Sequence, residues 1–148
     1  MDKTQKTPGI SLERVHLLEC SVRDVNPDSE LHFDLAITDL KRNQISEKTL
    51  TVLVAFDLMK GIDNPPCHFT CTYLATYIRP AEAAMTWDEF KDHLAVAHLV
   101  PYVREFISNI TTRLPLSTLM LPPLNAHHLV RNYRQLSLPD PQPLAPQI

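Results

Sequence analysis

From Ile10 to Val22 apolar residues alternate with polar ones but slip phase. Ile10 and Leu12 share one face, Val15 and Leu17 the other, then Leu18, Cys20 and Val22 follow. Period-two alternation marks a strand, and each one-residue slip flips its faces, so the pattern predicts a long bulged strand. Asn26-Pro27-Asp28 follows as a turn. Leu31, Phe33, Leu35 and Ile37 alternate with His32, Asp34, Ala36 and Thr38, a half-buried strand. "DLKRNQISEK" is expected to be a charged hairpin connection. Leu50, Val52, Val54, Phe56 and Leu58 alternate with residues that are themselves partly apolar, so this third strand should be central. After "KGIDNPP", Cys67, Phe69, Cys71, Tyr73, Ala75 and Tyr77 occupy one face of a fourth strand. His68, Thr70, Thr72 and Thr76 occupy its other face. Consecutive strands with short polar connections imply an antiparallel meander.

Beyond Tyr77 the period changes. Thr86-Trp87-Asp88-Glu89 fits a capping box, which predicts a helix from Thr86 toward His98 or Leu99. Pro101 suits either the start of a second helical segment or a kink between two. Val103, Phe106, Ile107, Ile110 and Leu114 continue at helical spacing to Pro115. Residues 115–124 are apolar, broken by prolines and expected to be extended. Asn125 can cap a last helix whose stripe is Ala126, Leu129, Val130, Tyr133 and Leu136. Strands followed by helices predict an α+β domain over residues 10–136. Residues 1–9 are expected to be a disordered arm, and residues 137–148 a flexible Pro-rich tail.

Composition narrows the function. Among 148 residues Gly occurs only twice, at Gly9 and Gly61, which excludes the glycine-rich nucleotide cradles. The net charge is -3 and the 14 Lys and Arg residues are scattered, which argues against nucleic acid. No stretch approaches the length of a membrane span, so no membrane insertion is expected. Three cysteines and no apolar leader point to free thiols in a reducing cytoplasm.

Candidate chemistry is thin. Cys67, His68 and Cys71, with Cys20, could be read as zinc ligands, but on a strand His68 points away from the two cysteines, which alternate like core residues. Asp88, Glu89, Asp92, His93 and His98 crowd one helix, where acidic groups suit the dipole as well as they suit acid–base work. His127-His128 cannot close a metal site alone. Arg104 and Glu105 beside Tyr102 could bind an anion or pair with another charge. No nucleophile elbow is present, and no cysteine lies in an electropositive loop. No metal or cofactor is expected, nor is an enzyme. What stands out is apolar material where the chain is irregular: Tyr73, Tyr77, Ile78, Trp87, Leu116, Leu119, Met120, Leu121 and Leu124. Apolar patches of this kind mark partner surfaces, unless helices cover them.

The order of these residues resembles the SecB family of export chaperones. "ISLERVHLLECSVRDVNP" is similar to the family's first strand. "LVPYVREFISNITTRLPLSTLMLPPLNAHHLVRNY" is similar to its most specific block: an aliphatic-Pro-Tyr-x-Arg-Glu helix, a Pro-interrupted Leu-rich loop and a short helix closing on Asn-Tyr. The resemblance spans about residues 10–136. It implies a four-stranded antiparallel sheet packed with one long, kinked helix and one short helix. It also implies a homotetramer, a dimer of dimers, with Val15, Leu17, Cys71, Ala75, Tyr102, Phe106 and Ile110 at interfaces. The implied activity is ATP-independent holding of unfolded clients in a groove lined by Tyr73, Tyr77, Ile78, Trp87, Leu119, Leu121, Leu124, Leu129 and Tyr133. Two departures bear on the client. The segment after the fourth strand, "LATYIRPAEAAMTW", has no glycine, and the tail carries no Cys, His or basic residue where export members often have a zinc-binding motif. SecB-like chaperones of toxin–antitoxin systems share the core without such a tail. The expected client is therefore an aggregation-prone antitoxin, with preprotein export as the alternative and a structural subunit without a client as an outside class.

Overall fold

The computed structural model describes residues 9–29, 33–116 and 124–137. The expected arm apart from Gly9, the expected tail beyond Ser137, and Leu31, His32, Leu119, Met120 and Leu121 lie outside the described residues. The elements are β1 (Ser11–Arg23), β2 (Ala36–Gln44), β3 (Thr49–Asp57), β4 (His68–Ile78), α1 (Asp92–Thr111) and α2 (Ala126–Ser137). The four strands form one antiparallel sheet in the order β1-β4-β3-β2. The architecture is α+β, with the helices on the sheet face that carries the core.

The order corrects the expected meander. β2, β3 and β4 are joined by hairpins, but β1 pairs with β4 instead of β2. The reason lies in β4, whose Phe69, Cys71, Tyr73, Ala75 and Tyr77 are all buried. A strand buried that fully needs neighbours on both sides, and β1 supplies a matching row. Leu12, Val15, Leu17, Cys20 and Val22 stand opposite Tyr77, Ala75, Tyr73, Cys71 and Phe69. Register shifts between Leu12 and Arg14 and between Leu17 and Glu19 absorb the phase slips, so these residues share one face. The predicted turn is present, with the Asp28 amide donating to Asn26 Oδ1 at 3.1 Å.

β2 lies later than its alternation predicts. The segment Asp39–Gln44, expected in a connection, continues the strand, and the turn falls at Ile45–Lys48. An edge strand tolerates charge because its outer side meets solvent. Arg42 is also occupied: its guanidinium donates to the carbonyls of Phe90 at 2.5 Å and Trp87 at 2.7 Å. Trp87 Nε1 donates to the Glu47 carbonyl at 2.8 Å, pinning this segment to the β2–β3 hairpin.

The capping box forms as predicted but starts no long helix. The Thr86 amide donates to Glu89 Oε1 and the Glu89 amide to Thr86 Oγ1, each at 3.2 Å. One turn follows, closed by the Phe90 amide on the Thr86 carbonyl. Lys91 is then extended, and α1 begins at Asp92. Trp87 and Phe90 on this turn both enter the core, with the Phe90 ring against Tyr77. Pro101 sits inside one continuous α1, on its exposed side, where water can replace the helical bond it cannot donate. Ala95, Val96, Leu99, Val103 and Ile107 of α1 are buried.

Candidate functional site

A groove opens where α2 crosses the start of β2. Its floor is apolar, made by Leu35 and Ile37 on the approach to and beginning of β2 and by Leu129 on α2. Asn132, Tyr133 and Gln135 of α2 form one wall, with Asp34, Lys60 and Gly61 at the rim, enclosing about 430 Å³. Local rules position each part. Asn125 caps α2, its Oδ1 accepting from the His128 amide at 3.1 Å. The Asp34 amide donates to the Leu58 carbonyl at 2.6 Å, tying the rim to the end of β3. Gly61 lies close to Asp34: a Cβ there would lie 2.7 Å from Oδ2, the tip of a side chain that can turn aside. The groove borders β2, an edge strand of the sheet.

A second apolar surface runs along the other edge. Leu17 and Leu18 of β1 are 41% and 53% exposed, and Tyr102 of α1 is 45% exposed. Val15, Phe106 and Ile110 are half-buried. The Phe106 ring stands edge-on to Phe69 and Tyr73, with centroids 6.2 and 6.4 Å apart.

No family model matches the sequence, and no curated protein sequence matches it. A solved structure does: the Mycobacterium tuberculosis Rv1957 SecB-like chaperone in complex with a ChAD peptide from the Rv1956 HigA1 antitoxin. The two superpose with a TM-score of 0.62 over 78% of this chain and 88% of that one, at 19% identity. The fold is SecB-like. At that identity the likeness speaks for the fold alone.

Within the SecB-like fold the residues predicted for the groove separate into three groups. Tyr73, Tyr77 and Trp87 are buried in the protomer's own core, covered by α1, Phe90 and Phe106. Ile78 is half-buried on the opposite sheet face, between Ser11 and Thr49. Leu129 and Tyr133 line the groove, and half-buried Leu124 packs on the same core. Leu119 and Leu121 lie outside the described residues. Among the predicted interface positions, Cys71 and Ala75 are buried under α1, where a partner subunit has no access to them. Val15, Leu17, Tyr102, Phe106 and Ile110 share the second surface. Asp34, Leu35, Ile37, Lys60, Gly61, Asn132 and Gln135 were missed as groove residues. The one legible signal was Gly61, half of all the glycine in the chain.

Cys67 and Cys71 are buried in the core and Cys20 is exposed, while His68 lies on the open face, 4.0 Å from Asp24. Zinc binds thiolates, and burial, then the neighbouring Cys20, push the Cys71 thiol up to about 12. Among the described residues no group of three or more His, Cys, Asp or Glu is arranged to hold a metal. Asp92, its side chain 12% exposed, is occupied by two guanidiniums: Arg42 at 3.2 Å and Arg134 at 2.5 Å. Among the described residues no helix is long and apolar enough to cross a membrane.

Proposed function

We propose that the protein is an ATP-independent holding chaperone, not an enzyme, and that the groove between β2 and α2 grips unfolded polypeptide. The observation that carries this reading is an apolar floor of Leu35, Ile37 and Leu129 lying beside an edge strand. An extended client can add main-chain hydrogen bonds to such an edge while a bulky side chain enters the pocket. The solved chaperone of like fold is bound to a peptide of an antitoxin, which supports an antitoxin as the client here. The apolar surface on β1 and α1 supports assembly into a homotetramer.

Tyr133→Asp tests the groove. A carboxylate resists leaving water, so client affinity should fall at least about tenfold while the circular dichroism spectrum stays unchanged. If the variant suppresses aggregation of an unfolded client at wild-type ratios, the groove assignment is wrong.

A further inference from the structure

α2 is held against α1 partly by a pair of imidazoles. His93, in the first turn of α1, stacks on His127, in the first turn of α2, with ring centroids 3.6 Å apart and planes 23° apart. The charged groups around the pair come from three elements. Asp92 precedes His93 on α1, Arg134 reaches Asp92 from α2, and Arg42 reaches the same carboxylate from β2. Burial, then His127, then Arg134, hold His93 below the ordinary imidazole value, against the opposing pull of Asp92. Neutral rings stack at this distance, whereas two imidazolium ions repel.

We propose that the His93–His127 pair makes the docking of α2 on α1 dependent on pH, firm near neutrality and loosened in acid. The sign follows from proton linkage. The docked state disfavours protonated His93, so the undocked state binds more protons. The contribution of the stack to docking is fully present well above about pH 6.5, where a free imidazole is neutral, and is lost as pH falls through the lowered His93 value. Once the stack is broken, α2 is still held by the burial of Leu129 and Val130 and by the partly exposed Arg134–Asp92 pair, so acid loosens its first turn on α1 and does not free the helix. The consequence for clients rests on the proposed function: α2 contributes Leu129 and Tyr133 to the groove, so its loosening shifts one wall.

Nuclear magnetic resonance of the full chain from pH 7.5 to 5.0, in the presence of EDTA, tests the device apart from client binding. The amide resonances of the first turn of α2, His127 and His128 among them, should move as pH falls through the range in which His93 takes up its proton. A His93→Phe, His127→Phe double variant keeps an aromatic stack that cannot ionise, and its α2 resonances should stay in place. Wild-type affinity for a reduced, carboxymethylated globular protein should fall about fivefold or more over the same range, with a smaller fall in the double variant. First-turn α2 resonances that stay in place in the wild type down to pH 5.0 overturn the proposal, and so does equal movement in the double variant. Absence of client binding at pH 7.5, with wild-type α2 still loosening in acid, overturns the chaperone reading and leaves the pH device standing.

Discussion

Tyr77 is an aromatic residue whose polar end is satisfied inside the core. Its ring lies 4.8 Å from Phe90 and 5.7 Å from His98. Its hydroxyl donates to the Ala95 carbonyl at 3.5 Å and lies 3.2 Å from His98 Nδ1. Burial, then Tyr102, raise the phenol well above its ordinary range, so it stays neutral. Tyr77→Asp should therefore destabilise the fold by about 3 kcal/mol or more, through an unpaired buried charge and a vacated ring site. Tyr77→Phe should cost only about 1 kcal/mol. Urea titration of both variants checks the pair, and a native midpoint for Tyr77→Asp would place the ring outside the core. Nothing in the strand's alternation separates a tyrosine awaiting a client from one already covered, because both need an apolar face.

At the level of elements, local signals mark starts better than lengths. The Thr86–Glu89 box and the Asn125 cap both form, yet only Asn125 leads directly into a long helix. Lys91 is extended and separates the Thr86–Glu89 turn from α1. Asn125→Ala should weaken α2 by about 1 kcal/mol. Hydrogen exchange at α2 amides should speed by roughly the matching fivefold to tenfold while β3 and β4 stay protected. Equal loss of protection in β3 would mean that α2 and the sheet open as one unit. In β1 the sequence shows the slips and the structure shows their use: two bulges align five apolar residues with the buried row of β4. In β2 the alternation of Leu35 and Ile37 is legible, but its continuation through Lys41, Arg42 and Gln44 is not, since edge position and the partners of Arg42 decide it.

On the scale of the whole molecule, the sheet has two edges with different characters. β2 is flanked by the groove, whereas β1 exposes Leu17 and Leu18, and Tyr102 of α1 is exposed as well. An exposed apolar edge is a liability unless another chain covers it. The protein should elute and scatter light as about four times its 16.9 kDa protomer mass. A Leu17→Asp, Tyr102→Asp double variant should fall to dimer or monomer and keep its circular dichroism, because both positions are open to solvent in the protomer. A wild-type mass of one protomer at micromolar concentration would mean that this surface serves another partner.

The sequence by itself determined the α+β class, the faces of β3 and β4, the cap of α2 and the likeness to SecB. The first three rest on periodicity or short-range hydrogen bonding, which neighbours along the chain dictate, and the likeness to SecB rests on the order of residues in its Pro-Tyr-x-Arg-Glu and Asn-Tyr block. Tertiary structure decided where β1 pairs, where α1 begins and which apolar residues remain reachable. Those outcomes depend on contacts between residues far apart in sequence: Cys20 opposite Cys71, Arg42 on Phe90, and Tyr133 across from Asp34 and Ile37. Alternation reports only that a side chain avoids water. Whether its own fold, a second copy or a client provides the cover is set by which elements the fold brings together.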